Sequence, residues 1–362
     1  MSAYSYRQPV VGQAFVDLIE GQHPRGLALD AFAGRYLVIC CYGSSQIKPG
    51  RAALDAMCEH ADLFDGVRRS FLAVTIDPNE KVKAPPNKGL NFVVDRDGVF
   101  SRHCGAAPVD GTPLGSQHRV TWTVVDPSLR VVAHFHTGAD RGECEAVFAL
   151  LLDLPDADAA ETCEIPAPIL VLPRLFEPDF CDRLVALYEN GYARDSGFMR
   201  NNVEIFDYSF KRRRDYFIDD EAIKDTIVQR ISCCVTPEIR RLFFMKITRM
   251  ERYLIGCYAA EEEAHFRPHR DNGQAITAHR RFALSVALND DFDGGELLFP
   301  EYNQRPHRIA KGWCIVFPCA LLHSVTRVTR GRRYVFLPFL YDEAGAEIKA
   351  QWQKQPEQAL GQ

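Results

Sequence analysis

His269 and Asp271 stand two positions apart in the stretch HFRPHRD, residues 265–271. On an extended segment residues i and i+2 face the same way, so this spacing can offer one imidazole and one carboxylate to a single ion. The pair arises often by chance and needs a third ligand. His323, at the end of the apolar run in CALLHSV, can supply it. Two histidines and one carboxylate on one face of an octahedral ion leave three positions open, an arrangement suited to Fe(II) and O2. Arg333 follows ten positions after His323. A planar guanidinium binds a carboxylate through two parallel hydrogen bonds. A cosubstrate with a distal carboxylate would need such a group near the iron. Arg332 competes for this role, but neighbours on a strand face opposite sides, so only one of the two can point inward.

Other polar residues have weaker claims. His265 lies close to the motif but off the ligand positions. His134, His136, His279 and His307 read as surface or hydrogen-bonded histidines. The run KRRRD, residues 211–215, reads as a solvated strand or loop, with a substrate-binding rim as the alternative. The twelve cysteines include two adjacent pairs, Cys40-Cys41 and Cys233-Cys234, and no CxxC. Several others sit in apolar runs, such as Cys257, Cys314 and Cys319. They read as buried free thiols rather than a zinc site.

The elements that would carry these residues differ between the two halves of the chain. Strand-like runs at 35–43, 70–78 and 90–98 surround a helical stretch at 50–64. A strand–turn–strand at 119–136 and a helix at 143–154 complete an α/β layer pattern. Residues 156–166 are polar, acidic and proline-containing, and read as a linker. A strand and helix at 169–190 open the second half. Residues 198–218 look irregular, and 220–243 look helical with an interruption at Pro237. From 246 onward short strands follow one another between Gly and Pro turns, the pattern of an all-β sandwich or barrel. The expected divisions are 1–155, a linker at 156–166, a second domain at 167–345 and a tail at 346–362.

Composition sets bounds. The chain has 362 residues, enough for two domains, with 46% hydrophobic and 25% charged residues. A net charge of −5 gives no basic field for nucleic acid or an anionic membrane. No apolar run is long enough to span a bilayer, and the first residues do not resemble a signal peptide. A cytoplasmic protein is expected, with a homodimer left open.

Residues 167–345 resemble the 2-oxoglutarate/Fe(II)-dependent dioxygenases of the prolyl-4-hydroxylase-like branch. The resemblance rests on CYAAEEEAHFRPHRD (257–271), DFDGGELLFP (291–300), GWCIVFPCALLHSV (312–325) and GRRY (331–334), in that order and spacing. It implies a double-stranded β-helix, or jelly roll, with flanking helices. His269, Asp271 and His323 match the family's iron ligands, and Arg333 its binder of the cosubstrate carboxylate. Tyr258, eleven residues before His269, falls where the family often places a tyrosine that binds 2-oxoglutarate. Fe(II), 2-oxoglutarate and O2 are the implied cofactor and cosubstrates, with ascorbate a further candidate.

Residues 10–155 resemble the peroxiredoxin-like branch of the thioredoxin fold, in RYLVICCYG, FLAVTIDP, FVVDRDGVFSRHCGA and RVTWTVVDPSLRVV. That family's active loop reads Pro-x-x-x-Thr-x-x-Cys. Here the loop is GSSQIKPG, with Gly43, Ile47 and Gly50 at those three places. Peroxide reduction needs a thiolate, which glycine cannot supply. Arg119 resembles the arginine that would activate it, and Cys40, Cys41 and Cys104 stand elsewhere. The half is expected to be catalytically silent.

The resemblance as a whole implies an enzyme that hydroxylates an unactivated C–H bond and releases succinate and CO2. The substrate is left open between a peptide or protein residue and an amino-acid-like metabolite. Two other readings compete: a thiol-dependent redox protein using a displaced cysteine, and a non-catalytic sensor of iron or 2-oxoglutarate.

Overall fold

The structure is a computed structural model. It describes residues 4–15, 29–80, 87–109, 113–114, 117–138, 140–155, 165–200 and 202–354. Most of the expected linker, 156–164, lies outside them. The chain forms two compact units: residues 1–165 with 300–304, and residues 166–299 with 305–362.

The first unit is an α/β layer. Its strands are β1 (Tyr36–Gly43), β2 (Arg69–Thr75), β3 (Leu90–Val94), β4 (Val120–Val125) and β5 (Val131–Thr137). Its helices are α1 (Lys48–Glu59), α2 (Val99–His103) and α3 (Arg141–Asp153). The strands run in the order β3-β2-β1-β4-β5, parallel on the β3 side of β1 and antiparallel on the β4 side. β1 is buried at every position, as its unbroken apolar run requires. Trp122, Phe64, Phe71 and Phe148 form the centre of this core, with rings edge to face. Gly50, in the first turn of α1, has no room for a side chain: a Cβ there would lie 2.2 Å from the Ser44 carbonyl oxygen.

The second unit opens with β6 (Leu170–Leu172) and α4 (Pro178–Asn190), which places Pro178 in the first helical turn. After β7 (Arg194–Asp195), residues 198–218, expected to be irregular, form short strands: β8 (Phe198–Arg200), β9 (Val203–Ile205), β10 (Lys211–Arg212) and β11 (Arg214–Phe217). Helices α5 (Glu221–Cys234) and α6 (Thr236–Phe243) meet at Val235, and Asp220 caps α5 by accepting from Ile223 N at 3.1 Å. The strands β12 (Arg249–Glu251), β13 (Leu254–Ala259), β14 (His265–His269), β15 (Phe282–Ala287), β16 (Asp293–Gly294), β17 (Leu297–Phe299) and β18 (Asn303–His307) follow. The last are β19 (Cys314–Pro318), β20 (His323–Val325), β21 (Val328–Arg330), β22 (Arg332–Phe336) and β23 (Phe339–Tyr341). The expected tail from 346 begins inside a helix, α7 (Glu343–Lys354). Among the described residues no helix is long and apolar enough to cross a membrane.

Two sheets dominate this unit, one of five strands (β10-β14-β20-β17-β18) and one of nine. The chain alternates between them: β13, β15, β19 and β22 lie in the larger sheet, and β14, β17 and β20 in the smaller. That alternation is the winding of a double-stranded β-helix. Period-two patterning sorts the larger sheet's residues. Ile255 and Cys257, Leu284 and Val286, Cys314 and Val316, and Tyr334 and Phe336 pack against Leu184, Ile227, Ile231 and Ile239 of the helices. Each fully buried aliphatic side chain of this layer contributes roughly 1.5–3 kcal/mol. The opposite face carries Tyr258, Ser285 and Arg333, all buried. The larger sheet is thus apolar toward its helices and in part polar on its other face.

Candidate metal centre

β14 and β20 are antiparallel neighbours, and His269 stands directly across from His323. Pro268 lacks an N–H for the ladder, and the pairing register shifts between Phe266 and His269. The irregularity lets the Phe266 ring stack on His269, with centroids 3.4 Å apart. Asp271 lies just beyond the strand. Its backbone N–H donates to the Cys319 carbonyl at 3.0 Å, and its own carbonyl accepts from Arg280 Nη1 at 3.4 Å. Arg270 donates to the Ala320 carbonyl. The loop after β14 is therefore tied to the segment leading into β20.

The three side chains meet. His269 Nε2 is 3.6 Å from Asp271 Oδ1, and His323 Nε2 is 3.4 Å from Asp271 Oδ2. One ligand atom from each lies within 4.8 Å of the others. His269 Nδ1 donates to the Arg267 carbonyl at 2.8 Å, and His323 Nδ1 to the Leu321 carbonyl at 3.0 Å. A carbonyl can only accept, so each Nδ1 carries its proton and each Nε2 presents a lone pair to the centre. Burial, with the nearby His269, lowers the His323 pKa to about 4, which keeps its ring neutral. Burial alone would raise Asp271, but His323, His269 and Arg280 outweigh it and hold the carboxyl well below its usual range. Two imidazole Nε2 atoms and one ionised carboxylate fit a divalent iron, with open positions left over.

Arg333 and Tyr258 are cross-strand partners on β22 and β13. Arg333 is buried and donates from Nη2 to Ser285 Oγ at 3.0 Å, with its guanidinium 5.2 Å from the centre of the Tyr258 ring. Burial lowers its pKa. Among the described residues no carboxylate lies within ion-pair distance of Arg333. Gly295, at φ +70°, lies against it: a Cβ there would come 2.9 Å from Arg333 Cδ. Arg332 faces the other way and pairs with Glu261 through Nε at 2.9 Å and Nη2 at 2.5 Å.

The charged run KRRRD departs from the solvated reading. Lys211, Arg213 and Asp215 are buried, whereas Arg212 and Arg214 are not. Alternation along an extended chain sends every second residue inward. Arg213 forms a two-point pair with Asp215, Nε to Oδ1 at 2.6 Å and Nη2 to Oδ2 at 2.8 Å, and its Nη1 reaches the Tyr258 hydroxyl at 3.4 Å. Ser196 Oγ also donates to Asp215, at 2.5 Å. The one signal that could have found this group is alternation along residues 211–215, which the density of charge masked; Ser196 and Ser285 carried none.

His265 stays outside the triad and hydrogen-bonds the Glu263 and Ser209 carbonyls. His279 is buried, with Nε2 3.0 Å from Glu251 Oε2. His134 bonds Thr123 Oγ1 at 3.0 Å, His136 is exposed, and His307 packs edge-on to Phe299. Arg119 donates to the Gly105 carbonyl and covers the Tyr6 ring at 3.8 Å. The cysteines among the described residues are free thiols. Cys40, Cys41, Cys104, Cys257, Cys314 and Cys319 are buried, but Cys58, Cys233 and Cys234 are exposed, which corrects a uniformly buried reading. The Cys233-Cys234 pair ends α5 on its solvent side, away from the isoleucine stripe.

Residues 253–341, which contain the triad, Tyr258 and Arg333, match the model of the 2OG-Fe(II) oxygenase superfamily. The chain is 28% identical over 191 residues to a multifunctional procollagen lysine hydroxylase and glycosyltransferase of Rattus norvegicus, covering 51% of this chain and 25% of that one. It is 39% identical over 77 residues to a PKHD-type hydroxylase of Caulobacter vibrioides, covering 19% of this chain and 34% of that one. Among solved structures it is similar to a Trichoplax adhaerens prolyl hydroxylase in complex with a hypoxia-inducible-factor peptide fragment, at 17% identity and TM-score 0.41 over 51% of this chain and 86% of that one. A Pseudomonas putida prolyl-4-hydroxylase is similar at 15% identity and TM-score 0.39, over 48% of this chain and 92% of that one. The chain spans 25% and 34% of the length of those two curated relatives. The matched segment is a 2OG-Fe(II) oxygenase domain of the dioxygenase, oxidoreductase type, a family that implies Fe(II), 2-oxoglutarate and O2.

Proposed function

We propose that this chain is an Fe(II)- and 2-oxoglutarate-dependent hydroxylase that acts on an unactivated C–H bond. One observation carries the reading: a two-imidazole, one-carboxylate cluster shares a domain with a buried arginine that lacks a carboxylate partner among the described residues. His269, Asp271 and His323 would hold Fe(II), and Arg333 the far carboxylate of 2-oxoglutarate. When bound, the iron and cosubstrate supply the oxidising chemistry, with succinate and CO2 as by-products. The protein's own residues orient and shield. The Nδ1 anchors at Arg267 and Leu321 fix both imidazoles, and Ser285 and Tyr258 border the Arg333 guanidinium. Phe299 and Phe317 line the His323 ring and limit water there.

The relatives act on lysyl or prolyl residues by name, which favours an amino-acid-like C–H bond in a peptide, protein or metabolite. The deciding experiment loads the chain with Fe(II) and 2-oxoglutarate without O2, then admits O2 with a peptide and metabolite library. Succinate release and a product heavier by one oxygen atom are expected. Iron-loaded protein that releases no more succinate than Asp271→Ala would overturn the reading and favour a sensor.

For the first unit we read a peroxiredoxin-like thioredoxin fold without its nucleophile. The strand order, with α1 following β1, supports this. The unit would act as a binding or docking module. A displaced cysteine is disfavoured: burial pushes the Cys40 and Cys41 thiols well up, so neither is a ready thiolate.

A further inference from the structure

Tyr258 stands between two buried arginines that are held in different ways. Arg333 is its cross-strand partner, and Arg213 reaches it from the link between β10 and β11. Arg333 donates to Ser285 Oγ and has no carboxylate partner among the described residues. Arg213 is already committed. A guanidinium has five N–H donors and no acceptor. Four of the Arg213 donors have partners: Nε donates to Asp215 Oδ1 at 2.6 Å, Nη2 to Asp215 Oδ2 at 2.8 Å and to Ser196 Oγ at 3.1 Å, and Nη1 to the Tyr258 hydroxyl at 3.4 Å. The Ser196 hydroxyl donates its own proton to Asp215, which closes the ring of contacts. On β13, Gly256 stands directly across from Asp215. A Cβ at 256 would come 2.9 Å from Arg213 Cδ and 3.2 Å from Nε, so the arginine stem lies where a side chain would otherwise be.

This arrangement fixes the direction of one hydrogen bond. Arginine can only donate, so the Tyr258 oxygen accepts from Arg213. The phenol's own proton must then go elsewhere, and among the described residues no acceptor takes it. The Arg333 side of Tyr258 therefore offers a guanidinium and a phenol O–H, both donors. An ionised carboxylate, which can only accept, is the complementary ligand. A phenol that donates to an anion becomes a stronger acceptor, so a bound carboxylate and Arg213 reinforce each other through one oxygen. Asp215 keeps the two arginines distinct: it neutralises Arg213 at two points and leaves Arg333 as the unpaired cation.

We infer that Arg213, clamped by Asp215 and Ser196, is a positioning residue for Tyr258. It holds the phenol oxygen as an acceptor and so leaves the O–H, beside Arg333, as a further donor to the far carboxylate of 2-oxoglutarate. The identity of that carboxylate rests on the hydroxylase reading. Arg213 itself acts only through the Tyr258 hydroxyl, and that dependence is what separates it from a residue that merely supports packing.

The test is a double-mutant cycle read by calorimetric titration of 2-oxoglutarate into the full chain, loaded with Fe(II) in the absence of O2. One arm combines Arg213→Met with Asp215→Asn, which removes both charges and leaves neither buried alone. The other arm is Tyr258→Phe, and the triple variant closes the cycle. Tyr258→Phe should weaken 2-oxoglutarate binding about ten-fold or more, the loss of a hydrogen bond to a charged group. The Arg213/Asp215 variant should weaken it about three-fold or more, since the phenol stays but its proton is no longer directed. The triple variant should bind within about two-fold of Tyr258→Phe alone, because without the hydroxyl Arg213 has nothing to orient. Iron content should stay within about two-fold of the parent throughout, because none of these residues is in the ligand set. Gly256→Ala displaces the Arg213 stem while keeping every charge, and it should show the same dependence on the Tyr258 hydroxyl. It decides the matter if the Arg213/Asp215 variant does not fold. Parent-like affinity in the Arg213/Asp215 variant or in Tyr258→Phe overturns the inference. So does a loss on removing Arg213 that is equally large in the Tyr258→Phe background, which would mark Arg213 as a direct ligand or a packing residue. A parent that binds no iron or no 2-oxoglutarate gives a different result: there the hydroxylase reading fails, and this inference falls with it.

Discussion

At the scale of the residue, the triad histidines aim Nε2 at the centre because each Nδ1 is already committed to a backbone carbonyl. Asp271 supplies the negative charge. Asp271→Ala should therefore retain little iron, measured by elemental analysis against one Fe(II) per chain in the parent; parent-like iron in the variant would remove Asp271 from the ligand set. Arg333 tests a different group. Its guanidinium is buried on the face opposite the exposed Arg332. A hydrogen bond to a charged group contributes roughly 1.5–3 kcal/mol. Arg333→Ala should raise the 2-oxoglutarate KM by about 10- to 200-fold at near-normal iron content. Arg333→Lys should recover part of this, since an ammonium keeps the charge but not the fork. Arg332→Ala, which breaks exposed pairs with Glu261 and Glu189, should leave KM within about two-fold. Succinate release titrated against 2-oxoglutarate checks all three, and the reverse pattern would mean the other arginine holds the cosubstrate. These residues were legible because ligand spacing and strand alternation are local rules. Lys211, Arg213 and Asp215 were not, because a dense charge run normally marks solvent and its burial depends on the non-local β10–β14 and β11–β13 pairings.

At the scale of the element, the β11–β13 and β13–β22 pairings bring two arginines to one tyrosine: Arg213 lies at its hydroxyl and Arg333 near its ring. Asp215 keeps this tolerable by pairing with Arg213 at two points. Burial alone would raise the Asp215 pKa, but Arg213, Lys211 and Ser196 outweigh it and lower it to about 2. Breaking such a pair from one side leaves an uncompensated buried charge and costs about 3–5 kcal/mol. Asp215→Asn should lower stability by that order in a denaturant titration, and more than Arg214→Ala on the exposed side of the same strand. Equal losses would mean that the pair adds nothing beyond packing. Helices α1, α3, α4, α5 and α6 and the first-unit hairpin were readable from apolar period and from Pro178 and the turn at Asp126-Pro127-Ser128, whereas α2 and α7 were not. The strands of residues 198–218 were not, because none is longer than four residues and each is defined by a distant partner.

At the scale of the whole molecule, each unit has a core of its own, and the first contains the fully buried Trp122. That ring gives the first unit an optical probe. Burial lowers the His118 pKa to about 4, and burial with the nearby Arg119 and His136 does the same for His134. An unfolded histidine binds its proton near 6.5. Between pH 6.5 and 4 the unfolded chain therefore holds more protons than the folded one at these two positions. Stability contributed by keeping them neutral is present above pH 6.5 and is lost as pH falls toward 4. The first-unit transition, followed by Trp122 fluorescence in urea with Trp313 and Trp352 of the second unit replaced by Phe, should accordingly move to lower denaturant as pH falls through that window. His118→Gln and His134→Gln should flatten the dependence, and combining them should flatten it further. His103→Gln serves as the control, since that half-buried ring bonds the Val99 carbonyl in the same unit. A midpoint unchanged from pH 6.5 to 4 in the parent would remove the buried neutral histidines from the account. A dependence that survives in the double variant would assign it to other groups in the unit.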